Sequence, residues 1–124
     1  YVLPILIAIL SAGKDSIILI ENPEAHIHPK GQAILMELMA KAVANGIQII
    51  LESHSDHIIN GSLVAVNNRL ITPEQLSIYY FNREEHQHVA VSYPLEISKN
   101  GHIKRPPKGF FDQIDIDLKT LTGF

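Results

Sequence analysis

Two short apolar runs, Ser16–Ile20 and Ile47–Leu51, constrain this chain more than any other feature. Both are rich in isoleucine and neither alternates apolar with polar residues. A strand that shows one face to water alternates, so these runs predict strands buried on both faces, as in a parallel sheet. Between them, Pro29 to Asn45 predicts a helix with Ile34, Leu35, Leu38, Met39, Ala42 and Val43 as its apolar stripe. Gly46 stands in the position past its last turn. A second helix is predicted over Ser55–Leu70, with Ser55 or Asp56 as its cap. Strand, helix, strand and helix on short connections imply a right-handed parallel crossover.

An apolar helix precedes the first strand, from Tyr1 to Ala12, with Pro4 in its first turn and Gly13 past its last. It is too short to span a bilayer, lacks a basic flank before it, and is closed by Lys14 and Asp15. The chain opens at Tyr1, without methionine and inside an apolar element, the pattern expected of a piece of a longer protein. After Pro73 the pattern changes. Leu76–Phe81 and His88–Tyr93 predict a hairpin turning at Asn82–Glu85, and Phe110, Phe111, Ile114, Ile116 and Leu118 a last packed segment. The fold class is α/β: parallel strands with helices over 1–72, and an antiparallel C-terminal extension over 73–124.

With 124 residues the chain is one domain at most, long enough to bury a core. A net charge of −3 gives no overall basic footprint for nucleic acid, and Lys99, Lys104, Arg105 and Lys108 read as a solvated loop. The absence of cysteine excludes disulfides and thiolate metal sites, and is compatible with the cytosol.

The polar chemistry is concentrated directly after the two runs. Loop one is Glu21-Asn22-Pro23-Glu24-Ala25-His26-Ile27-His28-Pro29, and loop two is Glu52-Ser53-His54-Ser55-Asp56-His57. In open α/β sheets ligands bind beyond the carboxyl ends of the strands, where both loops lie. Each residue alone also has a bland reading as a cap or a solvated side chain; two such loops on neighbouring strands favour a site.

Ile17 through Pro29 resembles the Walker B motif and D-loop of ABC-type ATPases, closest to the branch of RecF, SMC-like heads and overcoming-lysogenization-defect nucleases. Ile49-Ile50-Leu51-Glu52-Ser53-His54-Ser55 resembles that branch's switch, or H-loop, strand. The tail from Asn100 through Asp112 resembles an uncharacterised C-terminal domain of bacterial ATPases of this kind. The resemblance implies part of a P-loop NTPase head, cytoplasmic, with ATP and Mg²⁺ as cofactors. By position it makes Glu21 the carboxylate that holds Mg²⁺ through water, and His54 the histidine that contacts the γ-phosphate. The general-base glutamate of the family is replaced by Asn22, which can orient a water but cannot take its proton, and Glu24 stands near enough to substitute. Ala25, His26 and His28 fall in the loop that meets a second head, so a homodimer through the heads is implied. DNA or a nuclease is the further partner class of the branch, with no membrane; no nuclease signature stands in the sequence.

No P-loop stands in these residues either. Gly13-Lys14 is the only Gly-Lys pair, but Ala8 occupies the first glycine position, Asp15 replaces Ser/Thr, and a strand follows instead of a helix. It reads as a turn, and the chain alone is expected to be inactive. A rival reading comes from Glu52 to His57, one substitution from the His-x-His-x-Asp-His loop of metallo-β-lactamase-fold hydrolases. It would use His54, Asp56 and His57, with His26 and His28, as zinc ligands. Glu52 in place of the first histidine speaks against it, and it leaves Glu21 to Pro29 unexplained. A third reading is a non-catalytic contact module.

Overall fold

A computed structural model describes residues 2–83, 86 and 88–123. The N-terminal part runs α1 (Val2–Ser11), β1 (Ile17–Glu21), α2 (Pro29–Ala44), β2 (Gln48–Glu52) and α3 (Asp56–Asn67). The C-terminal part runs through a short 3₁₀ turn (Pro73–Gln75) to β3 (Ile78–Asn82), β4 (Val91–Ile97), β5 (Ile103–Lys104) and α4 (Gln113–Thr122). β1 and β2 pair in parallel, and β3, β4 and β5 form an antiparallel sheet in that order.

The element boundaries follow from local chemistry. Gly13–Ser16 is a turn closed by Ser16 N–H on the Gly13 carbonyl, with Asp15 at positive φ, so the Gly-Lys pair holds no phosphate loop. α2 starts at Pro29, where a missing N–H costs nothing, and is capped by His28, whose Nδ1 accepts from Lys30 N–H at 3.3 Å. It stops at Gly46 (φ 90) in a Schellman arrangement: Gly46 N–H donates to Val43 and Ile47 N–H to Ala42. α3 stops by the same pair of bonds, Arg69 N–H to Val66 and Leu70 N–H to Ala65, but with Arg69 at φ 60 in the glycine position. The predicted helix ran on to Leu70 because no glycine marks this stop.

The core forms between α1, α2, α3 and one face of the parallel pair. Ile9, Leu35, Met36, Met39, Ala42, Ile47 and Ile58 are buried, with Ile18, Ile20, Ile49 and Leu51 packed against them. The expectation of strands buried on both faces is thereby corrected. Ile17 is 63% exposed, Leu19 75% and Ile50 52%, because nothing among the described residues covers the second face. The α2 stripe is corrected too: Ile34 is 61% exposed, whereas Met36 and Ala40 are buried. α3 lies along α2, so the buried arc turns away from Ile34; Gly61 sits against Met36, where a Cβ would meet the Met36 side chain.

The C-terminal part packs on α3 through a second cluster, Ala40, Ala65, Val66 and Ile71, with Leu76 and Ile97 against it. Gly101 (φ 72) touches the α3 backbone at Leu63, an approach a side chain would block. The hairpin is real, but its ladder runs from Asn82↔Val91 to Ile78↔Leu95, so the strands begin later than Leu76 and His88. Of the expected turn Asn82–Glu85, Glu84 and Glu85 lie outside the described residues. Pro94 is tolerated inside β4 because β5 pairs only with Glu96 and Ile97, leaving that edge without a ladder partner at Pro94. The expected last packed segment is instead the helix α4, on which Ile116 and Leu118 are exposed, as is Phe111 before it; the Ile114 side chain lies outside the described residues. Phe110 meets the hairpin, edge-on to Tyr80 with ring centroids 5.3 Å apart.

Candidate functional site

Parallel register brings the two polar loops together. Glu21 pairs with Glu52 across the ends of β1 and β2, and Asn22 N–H donates to the Glu52 carbonyl at 3.1 Å, extending the ladder by one bond. Both glutamates fall on the exposed face of the pair, the parity of Leu19 and Ile50. Among the described residues no hydrogen bond or ion pair engages the Glu21 carboxylate. Glu52 meets the His54 imidazole, Oε1 to Nε2 at 3.0 Å, with the His54 side chain 84% exposed.

Loop one is tightly turned. Pro23 is among the most buried side chains and anchors it. Asn22 (φ 48) and His26 (φ 62) both adopt left-handed backbone, a conformation that asparagine and histidine enter more readily than most residues. Ala25 N–H closes on the Asn22 carbonyl and Ile27 N–H on that of Glu24. Gly31 lets α2 approach the Ile27 side chain closely.

Glu24 crosses to loop two. Its Oε2 accepts from Ser53 Oγ and its Oε1 from His54 N–H, both at 2.8 Å. Partial burial pushes the Glu24 carboxyl up. The His54 and Glu24 backbone N–H groups, the Ser53 hydroxyl and the nearby His54 ring together outweigh that and hold it below its ordinary value of 4.5. A second crossing comes from Gln32, which is buried: its Nε2 donates to the Ile27 carbonyl at 2.9 Å and its Oε1 accepts from Ser55 Oγ. A cleft beside α1, lined by Pro4, Ile5, Ala8 and Ile20, opens onto Glu21 and Asn22.

Residues 1–60 match the family described as "AAA domain, putative AbiEii toxin, Type IV TA system", and residues 71–121 match "Protein of unknown function (DUF3696)". The two matches fit an AAA-type ATPase domain followed by an uncharacterised one. No curated protein and no solved structure matches the chain. The AAA match supports an ATPase-type function and spans all of loop one and loop two.

Of the residues singled out from sequence, the fold places Glu21, Asn22, Glu24 and His54 in one constellation. His28 is engaged as the α2 cap, and Ala25 and His26 lie on the turn between. Zinc finds no comparable support. Asp56 and His57 begin α3, 3.7 Å apart, and among the described residues no group of three His, Cys, Asp or Glu is placed to hold a metal ion. Glu52, Ser53 and Gln32 were missed as site residues. Loop two as a polar segment was legible, but the pairing partner of Glu52 and the targets of Ser53 and Gln32 exist only once β1 and β2 are in register. None of the described helices is long and apolar enough to cross a membrane.

Proposed function

We propose that this chain supplies the metal-binding carboxylate and the switch histidine of an ABC-type, P-loop ATP-hydrolysing head. The observation that carries the reading is the Glu21↔Glu52 register, which sets loop one beside loop two at the carboxyl end of a parallel pair. An unengaged carboxylate next to a second one is a hard oxygen donor set of the kind Mg²⁺ takes, so Glu21 would hold the ion through water. Bound there, Mg²⁺ supplies the charge neutralisation of the β- and γ-phosphates. His54, on an exposed loop with its ring against Glu52, is aimed at the γ-phosphate in this reading. Asn22 orients the attacking water through its amide, Ala25 to His28 meet a second head, and each nucleotide is completed by the opposite subunit.

These 124 residues contain no Gly-rich phosphate cradle, so the reading places the cradle on other residues of the same ATPase. The 124-residue chain by itself should then bind MgATP no tighter than about millimolar by calorimetry, roughly −4 kcal/mol. In the complete ATPase, His54→Ala should leave nucleotide binding intact and slow turnover, whereas Glu21→Gln should weaken the Mg²⁺-dependent part of binding. Sedimentation with and without ATP tests the two-headed arrangement: a mass indifferent to nucleotide would sink it.

A further inference from the structure

Loops one and two are tied by two side-chain bridges that ATP hydrolysis, as described above, does not use. Glu24 spends one carboxylate oxygen on the Ser53 hydroxyl and the other on the His54 amide. Gln32, only 7% exposed, spends its amide nitrogen on the Ile27 carbonyl and its oxygen on the Ser55 hydroxyl. Ser53 Oγ in turn accepts from Ser55 N–H at 3.1 Å. Every residue of the triplet 53–55 is thus held from loop one or by its own neighbour, while the His54 ring stays exposed. Both bridges start in or beside the segment Ala25–His28.

We infer that Glu24 and Gln32 are positioning residues that lock the triplet 53–55 to the segment Ala25–His28, so that the setting of that segment fixes where His54 stands. What His54 does rests on the ATPase reading; the lock itself does not. A carboxylate with both oxygens engaged serves this role better than that of a free base. Glu24→Gln should therefore be tolerated: its amide oxygen still accepts from His54 N–H, and the Ser53 hydroxyl can turn to accept from the amide N–H.

Two measurements test the inference. In the 124-residue chain, Glu24→Ala should speed hydrogen exchange at the His54 amide by about tenfold or more, the worth of a hydrogen bond to a charged group, while the Met39 amide in the core is unchanged. An unchanged His54 amide overturns the lock. In the complete ATPase, Ser53→Ala and Gln32→Met should each lower kcat by about tenfold with little change in KM. Both effects should vanish in a His54→Ala background, which a general loss of structure would not do. Should Gln32→Met not fold, Ser55→Ala removes the same bridge from its other end, where the hydroxyl makes no helix-cap bond. Abolished turnover in Glu24→Gln with full turnover in Ser53→Ala would make Glu24 a base and overturn the positioning role. Absence of ATP hydrolysis in the unmodified enzyme, with the His54 amide responding as expected, would fail the ATPase reading and leave the lock standing.

Discussion

Asn22 shows how one residue carries two constraints. Its side chain stands where the family resemblance puts a general base, and its backbone is left-handed at φ 48. A residue with a Cβ and no local hydrogen-bonding side chain pays about 1 kcal/mol or more there. Asn22→Ala should therefore destabilise the chain by about that amount in urea, while Asn22→Gly should cost little. On the ATP-hydrolysing reading proposed above, Asn22→Glu should raise turnover, by ~10²-fold on the scale of acid–base catalysis, and lower stability at the same time. Glu24 gives a pH signature. Its folded carboxyl lies below the ordinary 4.5, so between those values the unfolded chain takes up a proton that the folded chain refuses. The stabilisation is present above about pH 4.5 and lost as pH falls through the lower folded value. Glu24→Gln should flatten the stability profile across that acid window, read from melting temperatures at successive pH values; an equally steep profile would count against it.

At the scale of elements, the two long helices end alike with different chemistry. α2 stops on Gly46 and α3 on Arg69, both left-handed and both closing the same pair of backbone bonds. Arginine has a steric cost at that position and glycine does not, although glycine adds freedom to the unfolded chain. Arg69→Gly should accordingly raise stability by up to about 1 kcal/mol, and Gly46→Ala should lower it by a similar amount, both measurable by thermal melting. α2 and α3 also show why a stripe read from one helix falls short. Periodicity selects the apolar positions of α2, but α3 decides that Met36 and Ala40 are covered and Ile34 is not. Met39, only 2% exposed within the main core cluster, should cost about 2–5 kcal/mol when cut to alanine.

For the molecule as a whole, the open side of the parallel pair dominates. Ile17, Leu19 and Ile50 stand on it, and Leu3, Ile7 and Leu10 of α1 are exposed as well. Two parallel strands with one bare apolar face and no further strand beside them among the described residues are a poor end state, because parallel sheets are ordinarily covered on both faces. The 124-residue chain should self-associate at high concentration, and Leu19→Lys with Ile50→Lys should suppress it. Light scattering decides: a monodisperse monomer without the substitutions would show that this face needs no cover.

Residues near one another in sequence determined the elements from α1 through the β3–β4 hairpin and their order, the caps at Pro29 and Gly46, and the polar character of both loops; β5 and the helical form of α4 were not among them. Those features depend on backbone propensity and local hydrogen bonds, which are written in adjacent residues. Only the tertiary structure decided which face of β1 and β2 is bare, that Glu21 and Glu52 stand side by side, and that Glu24 and Gln32 bind loop two. A run such as Ile17–Ile20 looks the same whether one side or both are covered, since burial is a property of what packs against it. Register likewise joins residues far apart in the chain, and a carboxylate becomes a free ligand or a lock according to the donors that register sets beside it.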